Sequence, residues 1–377
     1  MENVQRFMYN TIEKWLFKGK VIVLTGARQV GKTTLLQKLA ENNEGVLWLN
    51  ADESPVRVRL EELSLTSLKE IVGSYKIIVI DEVQRVENAG LLLKLLADNF
   101  KSVQIIATGS SALDISETIF EPLTGRHVLF HLYPFSQKEL YLNKSPFELE
   151  QQLPFHLIYG SYPDIWNNKE NAEFLLKNLA NQYLYKDVLV WKDIRKPELL
   201  DKLLKLLAFQ IGSEVSFHEL ATQLGVSSET IDSYISLLEK SFVIFRLNAY
   251  STNPRKEVSK MSKIYFWDNG IRNAVIDSFN DLNFRSDTGA LFENFIIGER
   301  LKLNSILPNR KSFFWRNYNQ SEVDYIETEK AHLSAYEFKW NSLKKKIAVS
   351  KAFTNSYPEA QTNVLTPRNY SDFCDLS

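Results

Sequence analysis

Cysteine is almost missing from this chain: Cys374 is the only one in 377 residues. Disulfides and cysteine-built metal sites are thereby excluded. No run reaches the roughly 18 apolar residues that would cross a bilayer. The opening Met1-Glu-Asn-Val-Gln-Arg6 lacks the basic-then-apolar order of a secretory signal. These absences predict a cytoplasmic protein with no membrane partner. Charge of one sign is lacking too. Lys and Arg number 45 against 46 Asp and Glu, a net charge of −1, so any attraction to nucleic acid needs a local patch. Internal repeats and low-complexity linkers are absent, which predicts domains packed directly on one another. The hydrophobic fraction of 44% is that of an ordinary globular chain long enough for several cores.

Glycine is scarce as well, with 14 residues, yet two fall in Gly26-Ala-Arg-Gln-Val-Gly-Lys-Thr-Thr34 directly after the apolar run Val21–Leu24. Strand, glycine loop and helix in that order make a phosphate cradle. The loop turns backbone N–H groups inward, and the following helix points its positive end at the same place. Gly26, Ala27, Arg28, Gln29, Val30, Gly31, Lys32, Thr33 and Thr34 are therefore the expected nucleotide-binding residues. Lys32 would reach the outer phosphates of ATP, and the Thr33 hydroxyl would ligate Mg2+.

Further apolar segments at 45–49, 76–80, 103–107 and 127–132 alternate with helical patterns at 32–42, 57–72 and 87–99. A short amphipathic helix is expected at 7–17. Alternation of this kind predicts a parallel sheet covered on both faces, an α/β fold. The third run ends Ile80-Asp81-Glu82. A carboxylate at the carboxyl end of a buried strand can hold the metal, and its neighbour can orient and deprotonate water, so Asp81 is assigned to Mg2+ and Glu82 to water. The fourth run ends Ala107-Thr-Gly-Ser-Ser111, where a hydroxyl could sense the γ-phosphate; Ser110 is preferred to Thr108.

The set Gly26–Thr33, Ile80–Arg85, Thr108–Ser111 and Leu123-Thr-Gly-Arg126 resembles the AAA+ ATPases. It is most similar to the prokaryotic branch that carries a C-terminal domain of unknown function. The resemblance implies that Arg126, immediately before His127, is an arginine finger for a neighbouring copy in a homo-oligomer, although action within its own chain fits equally well. One departure stands out. No arginine occurs between Arg126 and Arg195, so the lid arginine that many AAA+ proteins use as a second sensor is missing.

The expected order is an ATPase domain over 1–135, a helical lid over 136–195, a winged helix over 196–270 and a small α/β domain over 285–377. The Gly160–Pro163 turn falls in the lid, where packing is its expected work. Helices at 197–211, 217–224 and 228–240, then strand-like 242–247 and 264–267, resemble a winged helix. Its would-be recognition helix, Ser228 to Lys240, carries Glu229, Asp232 and Glu239 against Lys240 alone, which opposes phosphate contact and base reading. Its wing is basic, so Arg255, Lys256, Lys260 and Lys263 are expected to permit nonspecific nucleic-acid contact.

In the last segment Asp287 is the expected N-cap of a helix that contains Glu293. Strands follow at 312–316, 322–326 and 334–340, then a helix at 343–355 and a strand at 360–365. Alternation places Glu322 and Asp324 on one strand face, and Glu337 and Lys339 on one face of the next. Asp324, Glu337 and Lys339 can thus meet, with Glu293 facing them. Clustered carboxylates call for a cation, and Mg2+ on Asp324 and Glu337 would activate water while Lys339 stabilises developing negative charge. This order resembles the PD-(D/E)XK nucleases, which implies Glu293, Asp324, Glu337 and Lys339 as catalytic residues. The function expected is ATP hydrolysis whose nucleotide state controls a nuclease-like domain. An ATP-driven switch or scaffold with an inactive nuclease-like domain, and a winged-helix DNA-binding regulator, are the alternatives.

Overall fold

Val21–Gly26 forms β1 as an entirely buried strand, as expected for a continuous apolar run in the middle of a parallel sheet. The computed structural model describes residues 4–109, 121–141, 144–183, 197–251, 262–307, 309–341 and 348–376. Ser110, Arg255, Lys256 and Lys260 lie outside them. The chain divides into two units, Met1–Pro134 with Lys240–Phe242, and Phe135–Glu239 with Val243–Ser377.

In the first unit β1 is joined by β2 (Val46–Asn50), β3 (Ile77–Asp81), β4 (Gln104–Gly109) and β5 (His127–Leu132). All pairs are parallel, in the order β2-β3-β4-β1-β5. The helices Lys32–Glu41, Ser54–Glu61, Leu65–Val72 and Ala89–Asn99 connect them. Leu60, Leu68, Ile78, Ile80, Leu92 and Leu93 fill one core. The single helix expected over 57–72 is two, because Ser64 caps a new start: its Oγ accepts from the Ser67 N–H at 3.1 Å. The parallel register carries β1, β3 and β4 to the same edge of the sheet. There Gly26, Asp81 and Gly109 end their strands side by side.

The second unit contains a seven-stranded sheet, β12-β11-β10-β9-β7-β8-β6. Its strands are β6 (Glu214–Val215), β7 (Ile244–Ala249), β8 (Ser262–Phe266), β9 (Arg310–Arg316), β10 (Glu322–Glu329), β11 (His332–Phe338) and β12 (Gln361–Leu365). Segments expected to lie in separate sections, 196–270 and 285–377, thus share one sheet. Parallel pairing of Asn248 with Phe313 and Ala249 with Phe314 closes the seam. A hairpin left alone would expose an unpaired edge, which this seam removes. Helices Pro197–Phe209, Phe217–Leu224, Ser228–Lys240, Asn269–Val275 and Thr288–Asn304 also lie along this stretch of chain. The helix expected over 343–355 is described only as Lys351–Ser356.

One local expectation changes. Asp287 makes no cap hydrogen bond to the helix Thr288–Asn304. Its carboxylate instead accepts from Arg272 Nη1 at 2.6 Å and Arg285 Nε at 2.9 Å, because a buried guanidinium requires an anion more than a helix end requires a cap. The Gly160–Pro163 turn is a packing device within this unit. Gly160 has φ +72°, and a Cβ there would strike the Asp268 carboxylate. Asp268 in turn accepts from the Ser161 N–H at 2.7 Å and caps the helix Asn269–Val275 through Ile271. Burial raises its pKa.

Candidate functional site

The loop after β1 is shaped by its glycines. Gly26 pairs with Leu132 across β5, and any Cβ there would run into the Leu132 carbonyl. Gly31 has φ +93° and Gln29 φ +60°, backbone that bends the loop toward the start of the helix Lys32–Glu41. Lys32 is only 6% exposed, and its Nζ donates to the carbonyls of Gly26 and Ala27, each at 2.9 Å. Phosphate oxygens entering the loop would compete with those carbonyls for the same ammonium. Thr33 and Thr34 are exposed beside it.

A hydrogen-bonded chain then crosses the strand ends. Thr33 Oγ1 donates to Asp81 Oδ2 at 3.1 Å. Thr108 Oγ1 donates to Asp81 Oδ1 and accepts from the Glu82 N–H at 3.0 Å. Glu82 itself sits at φ +55°, with Gln84 Nε2 donating to its Oε2. One hydroxyl and one carboxylate together offer the oxygen set that Mg2+ prefers, so these residues fit a metal-bound nucleotide. Thr108, fully buried, is the residue passed over in favour of Ser110. The sequence places Thr108 just past an apolar run; only the β3–β4 pairing brings its hydroxyl to Asp81. Arg6 was equally hidden. Its Nη1 donates to Val30 O at 2.9 Å and its Nη2 to Tyr133 O at 2.6 Å, tying the phosphate loop to the end of β5.

Arg126 lies elsewhere. Its carbonyl accepts from the Val21 N–H at 2.8 Å, at the start of β1. The phosphate loop begins at the other end of that strand, about 17 Å away at 3.3 Å per residue. Arg126 and the phosphate loop thus stand at opposite ends of β1. Its Nε pairs with Asp98 at 2.7 Å, which lowers the Asp98 pKa.

In the second unit the helix Thr288–Asn304 and strands β8, β10 and β11 bring Glu293, Glu322, Asp324 and Glu337 together. Lys339 Nζ is 2.9 Å from Glu337 Oε2 and 3.7 Å from Asp324 Oδ2, while Asp324 Oδ2 accepts from the Phe338 N–H at 2.7 Å. Burial and the neighbouring Asp324 charge push Glu293 and Glu337 each up to about 7. The sequence missed the ammonium in this group. Lys263, expected in an exposed basic wing, lies in β8 at 1% exposure. Its Nζ is 3.2 Å from Glu293 Oε1 and also pairs with Glu322. Tyr265 donates to Glu293 Oε1 at 2.6 Å. Among the described residues no three acidic, histidine or cysteine side chains are grouped as metal ligands. The acidic helix Ser228–Lys240 is also partly neutralised, since Arg246 pairs with Asp232 and Glu239, each at 2.7 Å.

A five-stranded parallel sheet, a glycine-lysine-threonine loop at the end of its β1 strand and a strand-end aspartate bonded to that threonine define a P-loop nucleotide-binding ATPase. Comparison with known proteins makes this more particular. Residues 18–141 match an AAA domain family, residues 150–282 a domain of unknown function (DUF8612), and residues 288–372 a domain of unknown function (DUF4143). The chain therefore carries an AAA-type ATPase domain near its N-terminus and a DUF4143 domain toward its C-terminus. An uncharacterized protein of Methanocaldococcus jannaschii is 31% identical over 320 residues, covering 73% of this chain and 65% of that one. An uncharacterized protein of Mycobacterium tuberculosis is 26% identical over 324 residues, covering 84% and 69%. Among solved structures, a chain from "Structure of Drosophila ORC bound to AT-rich DNA and Cdc6" aligns over 72% of this chain and 91% of its own. The identity there is 10% and the TM-score 0.26. No helix among the described residues is long and apolar enough to cross a membrane.

Proposed function

We propose that the chain binds and hydrolyses ATP with Mg2+, and that its nucleotide state controls the C-terminal domain. The observation that carries the first part is the chain Thr33–Asp81–Thr108–Glu82 at one sheet edge beside Lys32. Lys32 binds the outer phosphates, Thr33 and Asp81 hold Mg2+, and Glu82 orients and deprotonates the attacking water. The ion supplies neutralisation of the phosphate charge. Arg126 serves a neighbouring copy of the chain. The deciding experiment is calorimetric titration of Lys32→Ala with ATP and Mg2+: binding should vanish, and wild-type affinity in that variant would overturn the assignment.

A second reading concerns Asp324, Glu337 and Lys339, whose order with Glu293 resembles the PD-(D/E)XK nucleases. Two carboxylates carried to about 7 by burial and by Asp324 favour it, because a divalent cation would relieve that repulsion. Plasmid, linear duplex and single strands incubated with Mg2+ or Mn2+ test it. Cleavage lost in Asp324→Ala and Glu337→Ala supports a nuclease. ATP hydrolysis without any cleavage supports a switch or scaffold instead. The helix Ser228–Lys240 carries Glu229, Asp232 and Glu239 against Lys240 alone, which opposes phosphate contact and disfavours a sequence-reading DNA regulator.

A further inference from the structure

Lys263 is the most completely buried charge near the carboxylate cluster, and nothing in the ATPase chemistry uses it. It sits on β8 at 1% exposure, its Nζ 5.6 Å from the centre of the Phe314 ring. The same ammonium meets Glu293 Oε1 at 3.2 Å and pairs with Glu322. Tyr265, two residues further along β8 and so on the same face, donates to the same Glu293 oxygen. Burial alone would favour losing the lysine proton. The charges of Glu293, Glu322 and Asp324 outweigh it and hold the pKa above the ordinary lysine value. An ammonium at bonding distance from carboxylates occupies the place a metal ion would take between them, and removing it would leave the Glu293 carboxylate uncompensated, whereas Glu322 keeps Arg316 at 3.8 Å.

We propose that Lys263 is the resident cation of this cluster: it fixes Glu293 and Glu322 as structural anions, so Glu293 is not a metal ligand and a divalent ion is confined to Asp324 and Glu337. The last clause rests on the nuclease-like reading of those two carboxylates; the role of Lys263 does not. Lys263 is thus a positioning residue that sets how many ions the cluster accepts.

The test uses the full chain without nucleotide, and Mn2+ as the probe. Thermal melting is recorded in chelator and in Mn2+, and Mn2+ affinity is measured by titration. Lys263→Met should melt below wild type in chelator and recover in Mn2+, because the freed Glu293 and Glu322 accept the ion. Lys263→Arg should melt near wild type and gain nothing extra from Mn2+. Glu293→Gln should leave Mn2+ affinity unchanged, whereas Asp324→Asn should weaken it about tenfold or more. A comparable loss in Glu293→Gln would overturn the proposal, and so would a Lys263→Met variant that melts like wild type in chelator. If wild type binds no Mn2+, the metal reading of Asp324 and Glu337 fails. Recovery of Lys263→Met in Mn2+ then still supports Lys263 as the resident cation, and failure to recover overturns it. Should Lys263→Met not fold, the Glu293→Gln titration decides.

Discussion

Replacing Thr108 by valine tests the site at its least exposed point. Valine keeps the shape of threonine and removes the hydroxyl, so two specific bonds disappear: one given to Asp81 Oδ1 and one taken from the Glu82 N–H at 3.0 Å. A hydrogen bond to a carboxylate contributes about 1.5–3 kcal/mol, and leaving the half-buried Glu82 N–H unpaired costs at most about 1–3 kcal/mol. The folded state should therefore lose about 2.5–6 kcal/mol, toward the lower end because that N–H is only half-buried. Hydrolysis responds only to the part of this that positions Asp81 and Glu82 in the transition state. If the carboxylate bond is expressed there fully, kcat falls about 10- to 150-fold. Lys32 and the glycine loop are untouched, so ATP affinity should change little. Steady-state ATP hydrolysis, calorimetric ATP binding and urea unfolding of wild type, Thr108→Val and Thr108→Ser separate these effects, with serine restoring most of the rate. A folded Thr108→Val that turns over within about twofold of wild type would show that Thr108 does not hold the catalytic pair in place.

Other outcomes follow from the same geometry. Arg6→Ala frees Val30 and Tyr133 together, so ATP affinity should drop while the melting temperature changes little; unchanged affinity would show the clamp to be irrelevant to the loop. Arg126→Ala should lose turnover, and mixing it with Lys32→Ala protein should restore part of it, since one variant keeps the loop and the other the arginine. Full turnover by Arg126→Ala alone would leave the Asp98 pair as its whole role. Arg300 forms a two-pronged bond with Glu327, at 2.6 and 2.8 Å, between the helix Thr288–Asn304 and β10. Arg300→Met should cost about 3–5 kcal/mol in urea unfolding, because a buried carboxylate is left uncompensated. The raised pKa of Glu337 makes a signed prediction. The folded carboxyl holds its proton up to about 7 against 4.5 when unfolded. Its contribution is fully present below pH 4.5 and is lost as pH rises to 7. Glu337→Gln should therefore gain stability relative to wild type across that window, measured by urea midpoints; parallel curves would refute the raised value.

Much of the nucleotide site is readable along the chain because its chemistry is local. Gly26 to Thr33 is one short segment whose order, strand then loop then helix, already dictates where N–H groups point. Asp81 and Glu82 are legible because a buried strand must end at the sheet edge. The alternation of Glu322 with Asp324, and of Glu337 with Lys339, likewise follows from the two-residue period of a strand. Lys263 was misplaced for a related reason. It closes a basic run from Pro254 that reads as solvated surface, and composition cannot say at which residue such a run enters a sheet. The helix break at Ser64 and the partners of Asp287 were missed because capping competes with distant charges that no local pattern reveals.

The sequence by itself determined that the chain holds a phosphate-binding loop on a parallel α/β sheet, and which carboxylates stand at strand ends. Those features depend on residues a few positions apart. Tertiary structure alone decided that the Thr108 hydroxyl meets Asp81, and that Arg6 braces the loop from far upstream. It also set Arg126 at the end of β1 away from the phosphate loop and turned Lys263 from a surface charge into an internal counter-ion. Each of these depends on strand order and register, which bring together side chains separated by tens of residues. Hydrogen bonds and ion pairs of that kind form only once the sheet has set their distances.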